Sequence, residues 1–522
     1  MDNELKQASI GPDKHPSASA QTAASAVRLR PIQRDQLCWH MLDVERLIDE
    51  DHPARAIWEF VGRLDLTSFL EATESFESCA GRPAFDPQLL ISLWVYAYSR
   101  GVGSAREISR RCEYEPAFQW LTGLDSVNYH TLSDFRITHL RALDELFTQV
   151  LGVLDAEGLI SLERVTHDGT KIAANAAQRS FCAEDRIRDA LGRAREQVEA
   201  LRAEALVEPT PNLRSQKAVE RARRERVGRL ELALTEFERI KGAKRPGYKK
   251  ASKQQTGTRI TDPQARIMKQ GAGQHYGLSY NVQLSTDAHA SIVVGAAVSQ
   301  TAPDYEHLVP AVEQVVQRLG ARPKQVIVDA GYSSRQNIVE LHAQSVEMIG
   351  NWVESDGRVK QRFARVGVTA PFLPAMFEYH GASDTYRCPE GKQLRRYPDI
   401  HRPGRVMRRY RARVSDCRQC PCRPQCCAGS TRRYGRALVV THEDPIVTAY
   451  RAQMTTPEAY RLRRLRGQVA EFTNAWLKEK LGLRRFHVRA LAKVRSETLW
   501  AVLTYNLQQW IRLRWRPRWI CT

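Results

Sequence analysis

The sequence predicts an α/β protein in which an all-helical region precedes a sheet flanked by helices. Apolar residues recur at helical spacing within residues 37–158, and strand-like patterns begin only at Leu162. Further strand patterns follow at 278–284, 291–298 and 326–328, and helical patterns then close the chain. With 522 residues, 42% of them hydrophobic, the chain is too long for one ordinary domain and can bury large cores.

Start signals divide the N-terminal region into short helices. Asp86 can cap a helix whose first turn holds Pro87. Ser104 and Glu107 form a capping-box pattern for the next helix, and another helix is predicted from about Ser133. Short helices with tight connections suit a helix-turn-helix DNA-binding module, and they suit any small helical bundle equally well.

Two insertions of unusual composition interrupt the sheet region. A charge-dense stretch, 181–245, is broken by prolines within 209–211 and predicts a hairpin of two long helices. A second stretch, 354–444, is rich in Pro, Arg and Cys. The predicted division is a disordered leader (1–36), a helical DNA-binding domain (37–158), a catalytic domain (159–513) with a helical-hairpin insert (181–245) and a Cys/Arg-rich insert (354–444), and a basic tail (514–522).

The composition favours a polyanionic partner. Lys and Arg number 79 against 59 Asp and Glu, which gives a formal net charge of +20, and these side chains bind phosphates with release of counterions. A basic but inert surface is the alternative. The sequence shows neither an apolar run of roughly 18 residues nor a signal-peptide core. Eleven cysteines without a secretion signal therefore predict a cytoplasmic protein with free thiols and no membrane partner.

Three acidic residues stand where a metal-dependent phosphoryl-transfer enzyme needs them. Asp168 and Asp329 each end a predicted strand, where carboxylates project into the crevice in which sheets bind ligands. Such oxygens suit Mg²⁺, and a second ion about 4 Å away would stabilise the leaving oxygen while the first activates the nucleophile. Glu471 lies on a predicted helix, with Lys478 two turns further on. Singly these are ordinary turn and surface residues, so the prediction rests on their combination.

Taken in order, these motifs resemble the DDE transposases of bacterial insertion sequences, in particular the group with an N-terminal helical transposase domain and a split DDE domain. The resemblance spans about residues 37–513. Its motifs are residues 81–87, 117–124 and 130–136 in the helical region, 168–172, 280–283 and 328–332 around the aspartates with Asp304 between them, and 471–478, 482–486 and 505–507 near the C-terminus.

The resemblance implies a ribonuclease-H-like mixed sheet in which Asp168, Asp329 and Glu471 meet at one edge and hold two Mg²⁺ (or Mn²⁺) ions. It implies an enzyme that binds terminal inverted repeats, cleaves a phosphodiester bond and joins the new 3′-OH to target DNA, as a homodimer in the DNA complex. A related nuclease without strand transfer, and a catalytically silent DNA-binding regulator, are the alternatives.

The C-terminal motif departs from that family pattern at two positions. Gly467 stands four residues before Glu471, where related transposases often have Arg, and Arg466 lies beside it. Phe472 replaces the usual Pro after the glutamate. The predicted DNA-contacting side chains are Lys478, Arg466, Arg485, Arg408 and Arg409.

The Cys/Arg-rich insert predicts a possible structural zinc site. Thiolates in a reducing compartment are natural Zn²⁺ ligands, and a loose loop with free thiols is the alternative. Arginines crowd the same insert with Tyr397 and Tyr410, a combination that suits phosphate contact and stacking as well as a solvated charge run. The four predicted zinc ligands are Cys388, Cys417, Cys420 and Cys426.

Overall fold

A mixed sheet with helices packed against it forms the centre of the structure, a computed structural model. The α/β class predicted from the sequence is confirmed. The predicted leader 1–36 and the proline turn 209–211 lie outside the described residues. The described residues are 41–71, 83–176, 180–207, 213–242, 257–270, 276–351, 361, 363–402, 405–427, 434–441 and 445–520.

Short helices make up the N-terminal region, as the sequence predicts. The helix after Asp86 begins at Pro87, and the Asp86 carboxylate accepts a hydrogen bond of 2.8 Å from the Gln88 backbone N–H. The helices are α1 (Pro53–Val61), α2 (Thr67–Leu70), α3 (Pro87–Ser99), α4 (Ala105–Arg111), α5 (Pro116–Thr122), α6 (Tyr129–Thr138) and α7 (Leu140–Ala156).

Two helix starts differ from the sequence prediction in detail. α4 begins after Ser104, but the Ser104 side chain makes no capping bond, and the Glu107 carboxylate bonds to two arginines of its own helix instead. α6 begins at Tyr129 rather than near Ser133, because the Asn128 side chain accepts a 2.8 Å bond from the His130 backbone N–H.

The central sheet contains three antiparallel strands followed by two parallel ones. In space the order is β6, β5, β1, β7, β8, with β4 paired to the other end of β5. β5 runs antiparallel to β1 and β6, whereas β7 and β8 run parallel to β1. The strands of this part of the chain are β1 (Arg164–Ala173), β2 (Phe181–Ala183), β3 (Gly257–Arg259), β4 (Arg266–Lys269), β5 (Tyr276–Asp287), β6 (Ile292–Ser299), β7 (Gln325–Val328) and β8 (Glu347–Gly350). Of these, β2 and β3 pair with each other in a separate two-stranded antiparallel sheet.

One hydrophobic core joins the N-terminal helices to the sheet. It contains Trp94 of α3, Val293 of β6 and Trp500 of a long C-terminal helix. The buried Asn506 side chain on that helix bonds to both the N–H and the C=O of Val293, at 2.9 and 2.8 Å. These bonds fix the C-terminal helix against the sheet. The remaining helices are α10 (Leu308–Leu319), α11 (Arg335–Ala343), α14 (Pro445–Gln453), α15 (Pro457–Arg466), α16 (Phe472–Glu479), α17 (Leu491–Trp510) and α18 (Pro517–Ile520). Of these, α11, α14 and α15 pack with β7 and β8 in a second hydrophobic core.

Both predicted insertions contain regular structure. The first is a helical hairpin of α8 (Glu184–Val207) and α9 (Leu213–Gly242), with its own small apolar core around Ile187 and Leu230. The second is a five-stranded antiparallel sheet with two short helices. Its elements are β9 (Glu378–His380), β10 (Thr385–Arg387), β11 (Gln393–Arg402), β12 (Arg405–Ala412), α12 (Val414–Arg418), α13 (Arg423–Cys426) and β13 (Ala437–Thr441).

None of the helices in the described part of the chain combines the length and the apolar character that crossing a bilayer requires.

Candidate active site

The two aspartates lie side by side on neighbouring parallel strands. Thr166 of β1 pairs with Ile327 of β7, so Asp168 and Asp329 each lie two residues further on, at the same level of the sheet and on the same face. Asp329 follows β7 directly, as predicted. Asp168 lies inside β1 rather than at its end, because the ladder with β5 continues to Ala173. The strand register therefore brings together two carboxylates that are 161 positions apart (329 − 168).

Asp168 is the more buried of the acidic side chains, with 14% of its side chain exposed. Its Oδ2 accepts a 3.0 Å bond from Asn474 Nδ2 and lies 3.3 Å from Arg466 Nη1. Burial raises the pKa of the Asp168 carboxyl to about 6, Arg466 opposes that rise, and the nearby charge of Asp329 adds to it. A cation close to Asp168 is therefore favourable.

A hydrogen-bonded network under the two strands is centred on Asp304. Its Oδ1 accepts bonds of 2.8 Å from Lys171 Nζ, 2.8 Å from Asn281 Nδ2 and 2.9 Å from Gln283 Nε2. These donors lower the pKa of the Asp304 carboxyl against the effect of burial. Gln283 Oε1 in turn accepts a 2.5 Å bond from the Tyr332 hydroxyl. Asp304 thus holds strand residues in place, and its charge is already neutralised by Lys171.

His167 belongs to the same network and is not a free base. Its Nε2 lies 3.0 Å from Gln283 Oε1, an acceptor, so Nε2 carries the proton and Nδ1 accepts from the Ser285 hydroxyl at 2.9 Å. Complete burial lowers the pKa of His167 to about 4. The side chain is therefore neutral and supports the strand that carries Asp168.

Gly169 fits this network only because it has no side chain. A Cβ at position 169 would lie 2.4 Å from Gln283 Nε2, 2.8 Å from Asp304 Oδ1 and 3.0 Å from the Tyr332 hydroxyl. The network therefore requires glycine next to Asp168.

The helical side of the site contains a π-helical turn, Gly467–Glu471, between α15 and α16. In an α-helix, residues four apart lie one turn apart, whereas a π-turn brings residues five apart into that relation. Arg466 and Glu471 are such a pair, and Arg466 Nη2 bonds to Glu471 Oε1 at 2.8 Å. The extra residue in the turn therefore lets Arg466 take the place that the family pattern gives to position 467.

Arg466 connects Glu471 to the strands. The same guanidinium contacts Glu471 with Nη2 and Asp168 with Nη1. Glu471 itself is 60% exposed at the side chain. Among the described residues, no three His, Cys, Asp or Glu side chains are grouped closely enough to form a metal-binding cluster. The Arg466 guanidinium thus lies between the carboxylates of Glu471 and Asp168, which are not in direct contact with each other.

Asn474 is a site residue for which the motifs gave no signal. It lies on α16 three residues after Glu471, and its Nδ2 donates to Asp168. Its Oδ1 is buried and has no hydrogen-bond partner among the residues that the structure describes. The helical spacing from Glu471 is the only sequence feature that could have indicated it.

Lys478 also lies on this side of the site. Burial lowers the pKa of its ammonium group, and the negative charge of Asp168 acts in the opposite direction. Lys478 is thus a half-buried lysine within electrostatic range of Asp168.

Two other glutamates on the C-terminal helices serve structural contacts. Glu497 is fully buried and accepts bonds from the backbone N–H groups of His487 and Val488. Glu479 forms an ion pair with Arg484 at the surface. These contacts leave Glu471 as the glutamate with a connection to Asp168.

The other predicted DNA-contacting residues lie apart from one another. Arg485 is exposed and forms an isolated β-bridge with Ala173, the last residue of β1. Arg408 and Arg409 are successive residues of β12 and therefore point to opposite faces of the inserted sheet.

The four predicted zinc-ligand cysteines line one small cavity, together with Cys427. The Cys388 thiol accepts a 3.2 Å bond from the Lys392 backbone N–H, and Cys417 accepts a 3.3 Å bond from that of Arg436. In the described structure these thiols are not close enough together to share a metal ion, so metal binding would require them to move closer. The four are Cys388, Cys417, Cys420 and Cys426.

Two family models match this chain. The model described as "Transposase domain (DUF772)" matches residues 42–138, and the model described as "Transposase DDE domain" matches residues 387–511. The second match contains Glu471 and Lys478, whereas both aspartates lie outside the two matches. The N-terminal helices and the C-terminal half of the site thus each have a family relationship.

The search of solved structures found a piggyBac transposase synaptic complex with hairpin DNA, at 8% identity and a TM-score of 0.30. The match covers 88% of this chain and 73% of that chain. A score this low supports no argument about fold or chemistry. No curated protein matches the sequence.

Proposed function

We propose, from the premise that this chain belongs to the DDE transposases, that Asp168, Asp329 and Glu471 are the residues with which it cleaves DNA and joins it to a target. The register of β1 and β7, which pairs Thr166 with Ile327 and so puts Asp168 and Asp329 two residues beyond that pair, is the observation that carries the assignment. The ion pairs of Arg466 with Asp168 and Glu471 support it further. The DNA substrates would be the terminal inverted repeats of its insertion sequence and a target site.

The central sheet is proposed to be ribonuclease-H-like. The antiparallel strands β1, β5 and β6 and the strands β7 and β8, which run parallel to β1, support this proposal. In this arrangement β1 and β7 are neighbours. Carboxylates at matching positions on these two strands can then act together.

DDE transposase domains use divalent metal ions, and the residues present fit such ions. Carboxylate oxygens are the donors that Mg²⁺ prefers, and the partnerless Asn474 Oδ1 adds an uncharged oxygen beside Asp168. We propose two Mg²⁺ (or Mn²⁺) ions held by Asp168, Asp329 and Glu471. Bound there, the ions would activate the attacking oxygen and stabilise the leaving one.

The chain's own cations have separate roles in this proposal. Arg466 neutralises Asp168 and Glu471, so it competes with a divalent ion for the same carboxylate oxygens. Lys478, close to Asp168, would hold the phosphate of the strand that is cut. Arg485 would contact the DNA backbone at the end of β1.

The test is incubation of the purified protein with DNA carrying the element's ends, with Mg²⁺ or with EDTA. We expect nicked ends and joined products in the reactions with Mg²⁺, and neither product in the reactions with EDTA. Nicking without joining would establish the related nuclease, and binding without either product would establish the silent regulator.

Assembly and location belong to the same proposal. We expect a homodimer in the DNA complex, since an element has two ends and each chain contributes one site. The helical region 37–158 would bind DNA, and the protein would work in the bacterial cytoplasm, associated with the nucleoid when bound. Sedimentation with and without end DNA measures the assembly.

One structural Zn²⁺ in the cysteine cavity is also proposed. The donor set supports it, because four thiols face one space and two of them accept backbone N–H bonds. We expect about one zinc per chain in protein purified without chelator, and loss of that zinc in Cys417→Ser. Zinc-free protein whose thiols all react with iodoacetamide in the native state would exclude the site.

A further inference from the structure

The two faces of the inserted sheet differ in chemistry. One face packs Leu394, Tyr410 and Leu438 into a small core with the cysteines. The opposite face carries Tyr397 of β11 paired with Arg409 of β12. Arg395 pairs with Arg411 one step further along the same face. This second face, formed by Arg395, Tyr397, Arg409, Arg411 and Tyr434, is called the arginine–tyrosine face.

Aromatic rings hold the arginines of this face. The guanidinium carbon of Arg411 lies 4.6 Å from the ring centroid of Tyr397 and 5.0 Å from that of Tyr434, and Arg409 lies 5.1 Å from Tyr397. Stacking fixes the plane of a guanidinium while its in-plane N–H groups remain available to an anion. Tyr397 and Tyr434 are themselves 42% and 51% exposed, so the face is open to solvent.

The charges on this face are not neutralised. Within the described residues, neither Arg409 nor Arg411 forms an ion pair with an acidic side chain, and the Nε of each is buried without a hydrogen-bond partner. Arg396, between Arg395 and Tyr397 in sequence, is different. It bonds to Asp384 at 2.7 Å and to Asp399 at 2.8 Å. Two acids of the insert, Asp384 and Asp399, thus pair with Arg396.

The terminal N–H groups of a stacked guanidinium can donate charge-assisted hydrogen bonds to phosphate oxygens. A row of stacked, unpaired arginines in a protein of net charge +20 fits a polyanion with regularly spaced oxygens. We propose that the arginine–tyrosine face is a DNA-binding surface that contacts the phosphate backbone of duplex DNA independently of sequence. This inference rests on the proposed function, because it takes the transposase's own DNA as the partner.

The test compares two arginines that are neighbours in sequence but lie on opposite faces. Full-length Arg409→Gln and the double variant Arg409→Gln/Arg411→Gln are measured against Arg408→Gln, which removes the same charge from the other face of β12. Binding to a labelled duplex of unrelated sequence is followed by fluorescence anisotropy across a salt series. Melting temperatures establish that each variant is folded.

The double variant should bind the duplex about tenfold or more weakly, and the slope of log K against log salt should fall by about two, because each phosphate contact contributes about 0.9. Arg408→Gln should change little, because the proposed surface includes Arg409 and not Arg408, although the sequence predicts DNA contact for both. Equal losses in Arg408→Gln and Arg409→Gln, an unchanged slope in the double variant, or a larger loss for a single-stranded probe than for the duplex would each overturn the assignment.

Failure of the proposed function gives a different pattern. Wild-type protein that binds duplex DNA through this face and yields no cleaved product would contradict the catalytic proposal and leave the surface standing. Normal cleavage of end DNA by the double variant, with an unchanged salt slope, would overturn the surface and leave the catalytic proposal standing.

Discussion

The strand side and the helix side of the site are held in different ways. Asp168 has 14% of its side chain exposed, lies in a backbone ladder and bonds to groups from three directions. Glu471 is 60% exposed and bonds through its carboxylate to Arg466. Hydrogen bonds between strands fix a residue's direction and level, whereas a glutamate on a helix surface keeps several rotatable bonds. The aspartates are therefore positioned by the fold, and Glu471 is positioned by its ion pair.

Because of this difference, we expect substitutions on the two sides of the site to have different effects. A change on the strand side should affect both chemistry and folding, because its residues share one buried network. A change on the helix side should affect chemistry while the melting temperature stays the same.

Asp168→Asn and Asp329→Asn should each lower the rate of end cleavage about a thousandfold or more, because a neutral amide binds a divalent ion far less well than a carboxylate. DNA binding should remain within about threefold of wild type, since no phosphate contact is removed. Gel assays of cleavage and anisotropy of the same DNA measure the two quantities. Cleavage within tenfold of wild type would remove that aspartate from the site.

Glu471→Gln should lower cleavage about a hundredfold, a loss in the range caused by removing one preorganised group. Its melting temperature should not change, because exposed substitutions alter stability by about 0.5 kcal/mol or less. Glu479→Gln is the matched control, an exposed glutamate of α16 that pairs with Arg484. A Glu471→Gln enzyme with full activity would mean that the helix side holds no catalytic carboxylate at this position.

Gly169→Ala tests the strand side without touching a charge. The new Cβ would overlap Gln283 Nε2 and Asp304 Oδ1, and overpacking of this kind costs about 1–3 kcal/mol of unfolding free energy. Gly152→Ala in α7 is the control, since nothing lies within 4 Å of its Cβ; it should be stabilising by about 0.5–1 kcal/mol. Chemical denaturation measures both. Equal stability of the two variants would contradict the close-packed network.

Local signals in the sequence predicted local structure, and contacts between distant segments were less accessible. Asp86 and Pro87 sufficed to place the start of α3, because a cap depends on residues within one turn. The strand positions of Asp168 and Asp329 were close to those observed. The sequence could not predict that the two aspartates lie at the same level of the sheet, because this depends on how two strands pair when the aspartates are 161 positions apart.

The helix side shows a second limit of sequence patterns. The family spacing indicated that Gly467 had replaced an arginine, whereas the π-turn returns Arg466 to that place. A sequence pattern that assumes an α-helix, with residues four apart one turn apart, cannot indicate a π-helical turn, in which that spacing is five residues. Asn474 escaped notice for a related reason, because its role depends on Asp168 lying opposite it.

The smallest expected effect concerns Arg466, which joins the two sides. Its guanidinium contacts oxygens of Asp168 and Glu471, so it occupies with positive charge the region that a divalent ion would share. Arg466→Gln should remove that competition and tighten Mn²⁺ binding about threefold to tenfold, which corresponds to about 0.7–1.4 kcal/mol. Cleavage should nevertheless fall if Arg466 contacts DNA as the sequence predicts, because that cation is lost. Isothermal titration of Mn²⁺ into the DNA-free protein measures the first effect, with Arg464→Gln as the control, because Arg464 is an exposed arginine two residues before Arg466 and therefore on a different face of α15. Weaker Mn²⁺ binding in Arg466→Gln would show that the arginine assembles the carboxylates rather than competing for them, and the helix side would then be preorganised like the strand side.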